Sequence, residues 1–127
     1  MEIEGDVDAT VVARAPSELS PADRTLVLMG SPALVVTSGA RSGETVRLGL
    51  GTATSLGRGP ANDVVLPDES VSGQHCRIRP ETGRFVLHDL ESTNGTFVNG
   101  RRVGRHPLAE GDVIRIGETS IEFRMLR

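Results

Sequence analysis

The chain has 127 residues, 17 of them acidic and 14 basic, and a formal net charge of −3, too weak to draw in nucleic acid or a membrane surface by field alone. With three Phe, no Trp and no Tyr, the core falls to Val, Leu and Ile, which favour strands when β-branched. The one cysteine, Cys76, rules out an internal disulfide and fits a reducing, cytoplasmic compartment.

Residues 1–32 carry six acidic groups against two Arg, and residues 33–127 carry eleven against twelve. The first segment, with Pro16 and Pro21 among Ala, Ser and acidic residues, is expected to be a mostly disordered acidic tail. Within it, Ser20 and Pro21 offer the cap and first turn of a short helix. Thr10 follows Glu4, Asp6 and Asp8 and precedes Val11-Val12, an acidic-then-apolar setting similar to that of bacterial Ser/Thr kinase substrates. It is a candidate phosphorylation site. The first six residues lack a signal pattern, and the apolar run Leu26–Met29 stops at Gly30-Ser31-Pro32, far short of a membrane span.

From residue 33 the pattern is of short strands. Leu34–Thr37 and Thr45–Leu48 flank a Gly-containing turn and predict a hairpin. Thr54–Leu56, Val64–Leu66, His75–Arg79, Phe85–His88, Thr96–Val98, Val113–Ile116 and Thr119–Met125 follow. Turn signals recur every ~8–12 residues, as in an all-β sandwich or barrel, and no window keeps a helical apolar period. The expected fold is a β-sandwich over 33–127.

Three polar constellations sit on turns between these strands: Gly57-Arg58, Ser72-Gly73-Gln74-His75, and Ser92-Thr93-Asn94-Gly95-Thr96-Phe97-Val98-Asn99-Gly100. Arg is the side chain best shaped to fork onto a phosphate, and Ser and Thr hydroxyls are natural donors to its oxygens. Together they suggest one anion-reading loop surface. Each also has a plainer reading: Arg58 in an ion pair with Asp63 or Asp68, Ser72 capping its own turn, and Asn94-Gly95 as a type I′ turn with both residues at positive φ. His88, Asp89 and Ser92 do not form a hydrolytic triad, because adjacent residues of one strand face opposite sides. The three His and one Cys lack metal-ligand spacing. No catalytic residue, metal or cofactor is expected.

Taken in order, Gly57-Arg58, Asn62-Asp63, Ser72-x-x-His75, Asp89-Leu90, the Ser92–Gly100 run and a closing Leu108-x-x-Gly111-Asp112 resemble the forkhead-associated (FHA) domain over residues 33–127. That resemblance implies a sandwich of about eleven strands whose loops bind phosphothreonine peptides, and hence a phosphothreonine-containing protein or Ser/Thr kinase as partner in bacterial kinase signalling. By the same resemblance Arg58, Ser72 and Thr93 meet the phosphate, while Ser70, Gly73 and Asn94 meet the peptide. Gly57, His75, Asp89, Gly95 and Asn99 support the site. One departure stands out: family members usually carry Arg, Lys or Asn where this chain has Gly73, so Gln74 or Arg84 is left to supply the missing contact. A phosphorylated Thr10 would give the pocket a ligand within its own chain. The alternative is a phosphate-independent scaffold or self-association module.

Overall fold

The computed structural model describes residues 30–126. Thr10, the short helix expected at Ser20-Pro21 and most of the 1–32 tail therefore lie outside the described residues. Eleven strands are present: β1 (Ser31–Ser38), β2 (Thr45–Arg47), β3 (Thr54–Gly57), β4 (Val64–Val65), β5 (Cys76–Glu81), β6 (Arg84–Asp89), β7 (Thr96–Val98), β8 (Arg101–Val103), β9 (Arg105–Pro107), β10 (Val113–Ile116) and β11 (Thr119–Leu126). No α-helix occurs among the described residues.

The strands form two packed sheets, ordered β2-β1-β11-β10-β7-β8 and β4-β3-β5-β6-β9. Alternation decides the layering. Leu34 and Val36 of β1, Ile114 and Ile116 of β10, and Ile121 and Phe123 of β11 turn inward from the first sheet, against Leu56, Ile78, Phe85 and Leu87 of the second. Phe85 and Phe123 meet across the interface with ring centroids 6.1 Å apart, within the range of favourable tilted aromatic pairs. Cys76 is fully buried in this core. Burial pushes its thiol up to about 12, so it packs as a small apolar side chain.

Strands β8 and β9 were not legible as apolar runs. Arg101, Arg102, Arg105 and Pro107 dominate them, and each strand closes one edge of a sheet, where Arg and Pro are tolerated because one side needs no ladder partner. The first strand begins at Ser31, opposite Leu126, two residues ahead of the expected boundary.

Two directions in this frame matter for function. The β5–β6 ladder runs from Cys76↔Asp89 at one pole to Glu81↔Arg84 at the other. The β1–β11 ladder runs from Ser38↔Ser120, at the Asp89 pole, to Ser31↔Leu126 at the far one.

Candidate functional site

Three loops converge at the Asp89 pole: the one after β3, the one before β5, and the one between β6 and β7. Backbone bonds join the first two. Arg58 N–H donates to the Ser72 carbonyl at 2.9 Å and Gly59 N–H to the Gly73 carbonyl at 3.0 Å. Asn62 Nδ2 reinforces the seam by donating to both the Gly59 carbonyl (2.8 Å) and the Gly73 carbonyl (2.6 Å). Gly57 makes this approach possible. A Cβ there would stand 2.4 Å from the Gly73 carbonyl oxygen.

His75 locks the second loop to the third. Its ring is fully buried; Nδ1 accepts from Ser72 N–H at 3.0 Å, and Nε2 lies 2.8 Å from the Gly95 carbonyl. An acceptor at Nδ1 puts the proton on Nε2 in the neutral ring, so one tautomer satisfies both contacts. Asp89 organises the third loop from the end of β6. Its carboxylate accepts from Ser92 Oγ (2.6 Å), Thr96 Oγ1 (2.7 Å) and Ser92 N–H (3.1 Å). Burial opposes its charge, but these bonds outweigh it and hold the carboxyl below its usual range. Ser92 Oγ in turn accepts from Gly95 N–H at 3.0 Å.

The outcome is a contiguous surface of Arg58, Ser72 and Thr93. Thr93 N–H donates to Ser72 Oγ at 3.0 Å, leaving the serine proton available to an outside acceptor. Arg58 and Thr93 are exposed. Among the described residues the Arg58 guanidinium has no ion-pair or hydrogen-bond partner. The expected candidates are engaged elsewhere: Asp63 accepts from Ser55, and Asp68 from Ser70 and from Glu118 N–H. One guanidinium and two hydroxyls with free donor capacity can together hold a tetrahedral anion.

Ser70 and Asn94 lie beside this surface, joined by Asn94 Nδ2 donating to the Ser70 carbonyl at 2.8 Å. Gly73 is exposed, with no atom within 4 Å of where a Cβ would be. Arg84 cannot substitute for a side chain at 73. It starts β6 at the opposite pole, five ladder steps from Asp89, or about 17 Å at strand rise. Asn99 also faces away: its side chain bonds Asp112 Oδ1 and Val113 N–H, bracing the 109–113 turn rather than the three loops.

The type I′ turn sits at that second dipeptide. Asn99 (φ 51°) and Gly100 (φ 85°) are both left-handed, whereas at Asn94-Gly95 only Gly95 is (φ 90°). Buried hydrogen bonding of the 92–96 loop to Asp89 overrides the local hairpin preference of Asn-Gly. His88 meets Glu81 at 2.7 Å, on the other side of the strand from Asp89.

Ser92, Thr96 and Asn62 support the site in addition to the expected residues, and Arg102 adjoins it. Arg102 lies across Gly95, where a Cβ would come within 2.7 Å of its Nε. A usable signal was present, since a two-residue turn at Asn99-Gly100 sets Arg102 opposite Phe97.

The FHA domain family model matches residues 54–117. The chain is 42% identical over 94 residues to the glycogen accumulation regulator GarA of Mycolicibacterium smegmatis, covering 74% of this chain and 59% of that protein. It thus spans about three-fifths of that relative's length. Among solved structures, the FhaA FHA domain complexed with the intracellular domain of Rv3910 superposes with a TM-score of 0.67 at 41% identity, covering 74% of this chain and all of that one. Mycobacterium tuberculosis EmbR, solved in complex with a low-affinity phosphopeptide, matches with a TM-score of 0.67 at 33% identity, over 76% of this chain and 25% of that one.

Proposed function

The chain belongs to the forkhead-associated family of phosphopeptide-binding modules, and on that premise we propose that Arg58, Ser72 and Thr93 grip the phosphate of a phosphothreonine while Ser70, Gly73 and Asn94 line the path of its peptide. The observation that carries this reading is the exposed Arg58 guanidinium, without a partner among the described residues, on loops that join it to Ser72 and Thr93 and that His75 and Asp89 hold in place. A phosphate there receives charge-assisted bonds that an unmodified threonine cannot, which gives the switch its contrast. The module is a non-catalytic, cytoplasmic reader that recruits a phosphorylated partner in Ser/Thr kinase signalling.

Titration of a phosphothreonine peptide against its unphosphorylated twin tests this, with Arg58→Ala as the companion variant. Loss of about 1.5–3 kcal/mol, roughly ten- to hundredfold in Kd, is expected on removing a charged partner. Equal binding of the twin peptides, or partner binding indifferent to Arg58→Ala, would instead favour the phosphate-independent scaffold.

The reading extends to self-regulation through Thr10. β1 enters the fold at Ser31, on the pole opposite the three loops, so a phosphorylated Thr10 must travel the length of β1, about 26 Å for eight residues. A random coil of roughly 20 residues, the number between them, would span about 25 Å root-mean-square, which matches. Phosphorylation at Thr10 is then expected to weaken capture of an external phosphopeptide. Unchanged affinity of the phosphorylated chain would refute self-docking.

A further inference from the structure

The outer face of the six-stranded sheet carries a groove that begins at the three-loop pole. Ser70 and Asn94 stand at its head, Phe97 and Val113 form its floor, and Arg115 one wall, around a volume of about 590 Å³. Phe85 and Phe123 are in the core, but Phe97 is only half-buried, and Val113, at 40%, is the one large exposed hydrophobic among the described residues. Across the sheet Phe97 is flanked by Arg115 on β10 and Arg102 on β8. The two arginines differ. Arg115 is engaged, its Nε donating to the Gly117 carbonyl at 3.1 Å and its Nη2 lying 3.5 Å from Glu118. Arg102 has no ion pair among the described residues, and its guanidinium lies against Gly95, the residue after Asn94.

On the phosphothreonine reading above, on which this rests, we infer that this groove is a second contact surface for the phosphorylated partner, seating an apolar side chain on Phe97 and Val113 and an acidic one on Arg102. Continuity supports that occupant, because a peptide held at Arg58, Ser72 and Thr93 passes Asn94, which is also the head of the groove. Charge complementarity supports its acidity: Arg102, beside the groove's Phe97 on the neighbouring strand and without an ion pair among the described residues, is a cation with five donors and a planar fork suited to carboxylate. The floor follows β7, Thr96–Val98, between Asn94 at its head and the Asn99-Gly100 turn at its foot, about 10 Å of strand, so the segment seated there is a short one next to the phosphothreonine. Selectivity then comes from two places: the phosphate gives the on–off contrast, and the groove sorts among phosphothreonine partners.

The test is a peptide library with a fixed phosphothreonine and six randomised positions on each side, presented to the wild-type chain and to Arg102→Gln, Val113→Thr and Arg58→Ala. The wild type is expected to enrich Asp or Glu beside an apolar residue at fixed offsets. Arg102→Gln loses the acidic preference and Val113→Thr weakens the apolar one. A single peptide carrying both features should bind Arg102→Gln about three- to fivefold more weakly, the scale of one exposed ion pair, whereas a peptide trimmed to the phosphothreonine and its immediate neighbours binds both equally. Retention of peptides by Arg58→Ala would overturn the phosphate reading itself. Loss of retention in Arg58→Ala with the same preferences in wild type, Arg102→Gln and Val113→Thr would overturn the groove alone. A change in self-association of the two groove variants with no change in peptide preference would assign the face to a second copy and overturn it too. Both substitutions are at exposed positions, and their melting temperatures check that the fold is kept.

Discussion

Replacing Gly73 by arginine is expected to tighten phosphopeptide binding. The position is exposed, its φ is ordinary, and no heavy atom lies within 4 Å of a Cβ built there. The Gly73 carbonyl would keep its bonds from Gly59 N–H and Asn62 Nδ2, both of which engage only the backbone of residue 73. A charge-assisted hydrogen bond to phosphate contributes about 1.5–3 kcal/mol. Ordering an arginine side chain takes back up to about 2 kcal/mol. With a bond at the upper end of that range set against the full ordering cost, the balance is about 1 kcal/mol, roughly fivefold in Kd. Calorimetric titration of a phosphothreonine peptide and its unphosphorylated twin, at one fixed salt concentration, measures it. The gain should be confined to the phosphorylated peptide. An unchanged Kd would refute the placement of residue 73 at the phosphate, and an equal gain with both peptides would show a generic charge effect.

Gly57→Ala places a Cβ 2.4 Å from the Gly73 carbonyl, and backbone cannot give way cheaply, so a loss of about 1–3 kcal/mol is expected in urea unfolding; wild-type stability would contradict the close approach. His75→Ala removes a buried ring that joins Ser72 N–H to the Gly95 carbonyl and leaves both without partners, which should cost about 2–4 kcal/mol. A loss below about 1 kcal/mol in chemical denaturation would show that His75 is not the brace argued for it. Asp89 has its folded-state carboxyl held below the ordinary range. Its contribution is therefore complete above the unfolded value of about 4 and disappears as pH falls through the lower folded one. Asp89→Asn should lower stability at neutral pH and make the remaining decline below about pH 4 shallower. An acid limb parallel to the wild type's would rule out this linkage.

Much of the site was legible because its residue types have narrow uses. Arg58, Ser72, Thr93 and Asn94 are polar groups at turns between apolar runs, and the structure brings all four to one pole. His75 could be placed near a turn, but its role depends on Gly95, 20 residues further along the chain. Arg84 and Asn99 show the limit of proximity judged along the chain. Both are near the site in sequence terms, yet strand direction carries Arg84 to the opposite pole and Asn99 to the Asp112 turn. Arg102 shows the converse: it reads as one of a run of surface arginines until hairpin register lays it over Gly95.

The sequence by itself determined the fold class and nine of the strands, because alternation of apolar residues with period two and clustered turn residues are local properties. It also determined which side chains could meet an anion. Tertiary structure alone decided which of them come together at one pole. The two arginine-rich edge strands, the φ of Asn94, the pole at which each loop lies and the groove along Phe97 and Val113 all follow from register between strands distant in sequence. Those pairings are selected by burial of the whole core, and no short window of residues contains that information.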